Sequence, residues 1–170
     1  MGKERVNLLT NHAKLIKFFH VATKVTGRKK LQKIIYILQQ CNIPFEEKYR
    51  FHIYGPYSEE LTLRVEELCN LHFLDEIKED KGHYYQYHYQ ITSAGNDFLN
   101  QFSLDMPDME EKVSLLNGQS SRFLELVATM LYFADLEKSD VEAKVHELKP
   151  KQKYSAEEIA RAWGFIDEVI

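Results

Sequence analysis

A chain of 170 residues with 44% hydrophobic and 28% charged side chains can bury a proper core and has the composition of an ordinary globular protein. No apolar run approaches the roughly 18 residues that a membrane-spanning helix needs, and two distant cysteines exclude a disulfide framework. The net charge of −4 hides a gradient, with 11 Lys/Arg against 3 Asp/Glu in residues 1–50, 3 against 9 in 51–100 and 8 against 14 in 101–170.

Such asymmetry marks either a partner surface or a basic end folded against an acidic one. The start, Met1-Gly2-Lys3-Glu4-Arg5, leads into a helical pattern and not a signal peptide, and Gly2 with Val6 lacks the Ser/Thr of a myristoylation site. Cys41 and Cys69 form no CxxC and read as reduced structural thiols. The expectation is a soluble cytoplasmic protein.

The first helix is predicted from Thr10-Asn11 to about Lys24, with Leu15, Phe18, Phe19 and Ala22 as its buried stripe. Gly27 ends it. The next runs from Arg28 to Gln40, and Leu31, Ile34, Ile35 and Leu38 recur at helical spacing. Its other face carries Lys29, Gln32, Lys33 and Gln40. Arg28, Lys29 and Lys30 occupy the first turn, where the dipole disfavours cations by about 0.3–1 kcal/mol each. This mild frustration makes Lys24, Arg28, Lys29 and Lys33 the candidate partner-binding residues; the competing reading is lysines that are solvated or paired with the acidic half.

Pro44 breaks that helix, and Tyr49, Phe51 and Ile53 alternate as a short strand into a Gly55-Pro56 turn. Ser58 caps a helix with Leu61, Val65, Leu68 and Leu71 on one side and Glu59 and Glu60 in its first turn. A hairpin follows, pairing residues near Leu74 to Glu79 with residues near Tyr84 to Thr92 around Asp80-Lys81-Gly82. Tyr85, Tyr87, Tyr89 and Ile91 share one face of its second strand, read as core and not as a base-stacking platform. Thr92 caps a helix holding Phe98 and Leu99, in which Gly95 permits close approach of another backbone or is tolerated near the helix start.

Helices followed by a helix and a wing-like hairpin are the ordering of a winged-helix domain. The predicted fold is therefore α+β, mainly α: a winged-helix core over residues 8–102 and a helical extension over 107–170. In the extension Asp108 to Leu116 form a short acidic helix. Ser120 or Ser121 opens an apolar one containing Phe123, Leu126, Val127, Met130, Leu131 and Phe133. Ser139-Asp140 cap a third, and Ser155 with Glu158 forms the capping box of the last, which buries Ile159, Ala162, Trp163 and Ile166. These stripes must cover either the first domain or a second copy of the chain as a homodimer.

No catalytic, cofactor-binding or metal-ligating set emerges. HExxH, GxSxG, a P-loop, GxGxxG and zinc-spaced Cys/His pairs are all missing from the sequence, and His83 and His88, five apart on a strand, leave opposite faces.

Three segments carry a family resemblance: Lys30-Leu31-Gln32-Lys33-Ile34-Ile35-Tyr36, the turn Tyr54-Gly55-Pro56-Tyr57-Ser58-Glu59-Glu60-Leu61, and Ile91-Thr92-Ser93-Ala94-Gly95. Over residues 10–100 they resemble the SocA-like antitoxin domains, also called Panacea. With Glu125-Leu126-Val127-Ala128-Thr129 and Lys149-Pro150 added, nearly the whole chain is similar to the bacterial YwgA-like proteins. The first resemblance implies a protein-binding neutraliser or adaptor beside a toxin; the second implies almost nothing about activity.

The functional expectation is a non-enzymatic, regulatory or antitoxin/adaptor-like protein acting on a protein partner, an acidic one if the basic helix serves it. The alternative is a winged-helix DNA-binding transcriptional regulator. Glu59, Glu60, Glu66 and Glu67 face solvent on the helix that would enter the groove, against a lone Arg64, and the hairpin is acidic too, so nucleic-acid binding is expected to be weak and salt-sensitive.

Overall fold

The computed structural model describes the chain from Gly2 onward, with side chains from Leu9. The readings of Met1 and of the side chains from Gly2 to Val6 lie outside the described residues. The chain is α+β and mainly helical. In order come α1 (Gly2–Ala22), β1 (Lys24–Thr26), α2 (Arg28–Gln40), β2 (Arg50–His52), β3 (Gly55–Tyr57), α3 (Glu59–Asn70), β4 (Leu74–Asp80), β5 (Tyr85–Ile91) and α4 (Ser93–Leu99). Then follow α5 (Glu110–Asn117), α6 (Ser121–Tyr132), α7 (Lys138–Leu148), a 3-10 turn (Pro150–Gln152) and α8 (Ala156–Val169).

Local chemistry accounts for most element boundaries. The side chains of Ser58, Thr92, Ser120 and Ser155 accept from backbone N–H groups in the first turns of α3, α4, α6 and α8, and Ser155 and Glu158 complete the expected capping box. Two helix starts differ from the sequence reading. α1 begins at Gly2, well before Thr10, and α7 begins at Lys138 with Glu137 in the N-cap position and no side-chain capping bond, ahead of Ser139 and Asp140. Leu71 is the C-cap of α3 and is exposed, so the buried stripe of that helix ends at Leu68.

The β4–β5 hairpin has the predicted pairing, from Leu74 opposite Ile91 to Asp80 opposite Tyr85, and Asp80 Oδ1 accepts from Gly82 N in the turn. β1 has no counterpart in the sequence reading. It adds to the far side of β5, Lys24 opposite Gln90 and Thr26 opposite His88, giving the antiparallel order β1-β5-β4. Only the inner end of the tyrosine face is core: Tyr89 is buried beside Phe19, Tyr87 is half-buried and Tyr85 is exposed beyond the reach of β1. β2 and β3 form a separate two-stranded hairpin on which Ile53, read as strand-like, projects into solvent.

Gly95 is required by contact. A Cβ there would lie 2.2 Å from Phe73 O, and Phe73 O itself accepts from Thr92 N. One hydrophobic cluster runs through the molecule. α6 lies against α2 and α8, and α5 against α1 and α2, so the apolar faces of these C-terminal helices are covered within the chain. Among the described residues, no helix is long and apolar enough to cross a membrane.

Candidate functional site

The second turn of α2, at Gln32 and Lys33, and the turn at residues 53–58 form a highly organised polar region. Gln32 and Lys33, expected on a solvent face, are both buried. Gln32 Nε2 donates to Ser58 O at 2.9 Å and Gln32 Oε1 accepts from Ser58 N at 2.8 Å, so one amide grips both polar groups of the residue that caps α3. Lys33 Nζ donates to Pro56 O at 2.8 Å. The physical reason for the correction is that the turn between β2 and β3 lays its carbonyls along this flank of α2, where a polar side chain satisfies buried backbone that water cannot reach.

A second lysine holds the other end of that turn. Lys149, buried, donates to Ile53 O and to Glu125 Oε1 at 3.1 Å. Gly55, at φ 85°, sits between, with Thr129 Oγ1 3.3 Å and Lys33 Cε 3.5 Å from where a Cβ would project. The segments at residues 30–36, 54–61, 125–129 and 149–150, far apart in sequence, therefore converge on one turn. The cluster holds two buried ammonium groups and one carboxylate. Burial, only partly offset by Glu125 and reinforced by Lys149 and Lys29, pushes Lys33 down to about 8.

The other candidate residues separate. Arg28 stacks its guanidinium on the Tyr87 ring, 3.6 Å from the centroid, and pairs with Glu76 at 3.1 Å, whose other oxygen accepts from Tyr89 OH. Lys30 donates to Asn117 O at 2.6 Å, placing a cation at the C-terminal end of α5 where the dipole favours it. Lys29 rests over the Tyr54 ring at 3.4 Å and, among the described residues, pairs with no carboxylate. Lys24 is exposed, and its carbonyl accepts from Asn117 Nδ2. The structure thus brings Arg28, Lys29 and Lys33 to one wall of a cleft and leaves Lys24 outside it.

That cleft, about 530 Å³, opens between α2 and α3. Its apolar lining includes Leu31, Leu61, Val65 and Tyr89, all buried, and Tyr54 and Tyr57 of the β2–β3 hairpin stand beside them. Glu66 and Asn70 of α3 also line it. Cys69 contributes a thiol that burial raises to about 11, so it is protonated at neutral pH.

Two polar constellations escaped the sequence reading. Arg64, the one base on α3, turns inward to pair with the buried Glu47 and, at 3.7 Å, with Glu60. Thr26 Oγ1, His88 Nδ1 at 2.8 Å and, from His88 Nε2 at 2.9 Å, Glu79 Oε2 form a line across β1, β5 and β4; none of the three lines the cleft. Each depends on strand or helix pairings absent from any local pattern. Among the described residues no group of three His, Cys, Asp or Glu is placed to hold a metal ion.

Uncharacterized protein YwgA of Bacillus subtilis (strain 168) is 54% identical to the chain over 162 residues, covering 95% of the chain and 98% of that protein. The chain belongs to the YwgA family. No family model matches it. In this YwgA-family protein the clamp on residues 53–58 fixes the β2–β3 hairpin beside the cleft, so that Tyr54, Lys29 and Lys33 keep a fixed relation to the apolar floor.

Proposed function

We propose that this YwgA-family protein is a winged-helix module that works without chemistry of its own, by binding a protein partner in a regulatory or antitoxin/adaptor-like role. The order α1-β1-α2-α3-β4-β5 with its sheet order β1-β5-β4 fits that scaffold, α3 standing where a groove-reading helix would be and β4–β5 as the wing. The SocA-like resemblance points the same way.

One observation carries the reading. The exposed residues of α3 include Glu59, Glu66 and Glu67, the last also bonded to His12 Nε2 at 2.9 Å, while its sole base is held by Glu47 and Glu60. Neutralisation of phosphates by Lys and Arg dominates DNA affinity, and the remaining cations do not form a stripe: Arg28 is paired with Glu76, Lys30 with a carbonyl and Lys33 is buried. Lys24 and Lys29 are left as the exposed cations of this region that, among the described residues, pair with no carboxylate, suited to an acidic protein surface.

The test is affinity isolation from the native host with the wild-type chain and with Lys24→Glu/Lys29→Glu. A partner retained by the first and lost by the second, at unchanged melting temperature, is expected. In parallel, selection from a random duplex library at physiological salt should enrich no motif and leave only binding near the non-specific range of about 10⁻⁴ to 10⁻⁶ M. An enriched sequence bound at nanomolar affinity would replace this reading with the DNA-binding one.

A further inference from the structure

We propose that the cleft between α2 and α3 is a binding site for a small organic anion with an apolar, ring-sized body. This goes beyond partner binding and does not depend on it. A volume of about 530 Å³ lies within the roughly 300–1,000 Å³ typical of small-molecule sites, which combine an apolar lining with a few placed polar groups. Leu31, Leu61, Val65 and Tyr89, none more than 5% exposed, supply the lining.

The sign of the ligand follows from the charges. Arg28 and Glu76 neutralise one another at one end of the cleft. Near Tyr54 stand Lys29 and Lys33, with Lys149 behind, against Glu125 as the carboxylate paired there. Positive charge is therefore in excess at this end of the cleft, with Lys29 exposed at the rim and Lys33 and Lys149 buried behind it, and interactions with partly buried charges are screened less than those between fully solvated ones. Lys33 has three N–H groups and one acceptor in place, Pro56 O. Lys29 has only the face of Tyr54, an aromatic ring half exposed to solvent. A carboxylate at this end satisfies Lys29 while its hydrophobic body covers Val65 and Leu61. Glu66, on the α3 side, repels the same group and so fixes the direction in which the ligand enters.

The probe is 8-anilinonaphthalene-1-sulfonate, an aromatic anion whose fluorescence reports entry into an apolar site, titrated into the full chain at pH 7. Saturable binding of one molecule per chain is expected. 2-Naphthoate should displace it at least tenfold more effectively than the isosteric, uncharged 2-naphthamide. Lys29→Glu should weaken the probe at least tenfold and Lys29→Arg should not. Val65→Trp, which fills the floor, should abolish binding. Amide chemical-shift changes in the wild-type chain, which need no variant to fold, should concentrate in residues 28–33, 54–57 and 61–70. Equal displacement by naphthoate and naphthamide, indifference to Lys29→Glu, shifts centred elsewhere, or no saturable binding overturns the proposal. Lys29 enters both tests, so the naphthoate–naphthamide comparison and Val65→Trp, which leave Lys24 and Lys29 in place, separate the cleft from partner capture.

Discussion

Replacing Lys33 with methionine tests whether α2 holds a charge at a cost to the fold. The Lys33 side chain is 2% exposed, and burial brings its pKa from the ordinary 10.5 down to about 8. Between these two values the unfolded chain keeps the proton and the native chain has lost it, so wild-type stability rises with pH across that window. Each pH unit is worth about 1.4 kcal/mol, or roughly 3 kcal/mol over the interval. Below pH 8 both states are protonated and this slope vanishes. The substituted thioether would nearly match the lysine in length but leave Pro56 O without its donor, a loss of about 1–3 kcal/mol for a buried acceptor. At pH 7 the removed charge and the orphaned carbonyl nearly offset one another, and the two proteins should lie within about 2 kcal/mol. The assay is urea unfolding of both proteins at several pH values from 7 to 10.5. Taking the difference cancels the titrations they share. Wild type should gain on Lys33→Met as pH rises from 8, by up to about 3 kcal/mol at pH 10.5. A difference that stays flat across the window would show that Lys33 titrates as a solvated lysine and refute the buried clamp.

Two further substitutions test the packing around the site. Gly95→Ala would normally stabilise a helix by about 1 kcal/mol, yet a Cβ 2.2 Å from Phe73 O forces backbone apart, so a net loss of about 1–3 kcal/mol in urea unfolding is expected; an unchanged or higher midpoint would contradict it. Arg64→Ala strands the buried Glu47 carboxylate, already raised by burial, and should lower stability by about 3–5 kcal/mol, whereas Arg64→Ala combined with Glu47→Gln should recover much of the loss in the same assay.

The sequence by itself determined what depends on neighbours within a few residues. Ser58, Thr92, Ser120 and Ser155 mark their helix starts because each side chain bonds an N–H within the next turn, and Asp80-Lys81-Gly82 sets the register of β4 on β5 because the turn joins them directly. Gly95 was legible as a point of close approach, though not what approaches it. The four candidate cations were legible only as a basic run. Tertiary structure decided their fates, since a base has the same sequence pattern whether it meets water, a ring, a carboxylate or a buried carbonyl. Lys33 and Gln32 are buried because a turn more than twenty residues away covers them. β1, three residues long, exists because β5 offers an edge 62 residues on. Lys149 reaches Ile53 O across 96 residues, a contact with no local signature. The cleft follows from these long-range contacts: its walls are separate helices, and the clamp that fixes its aromatic rim is drawn from four separate segments of the chain.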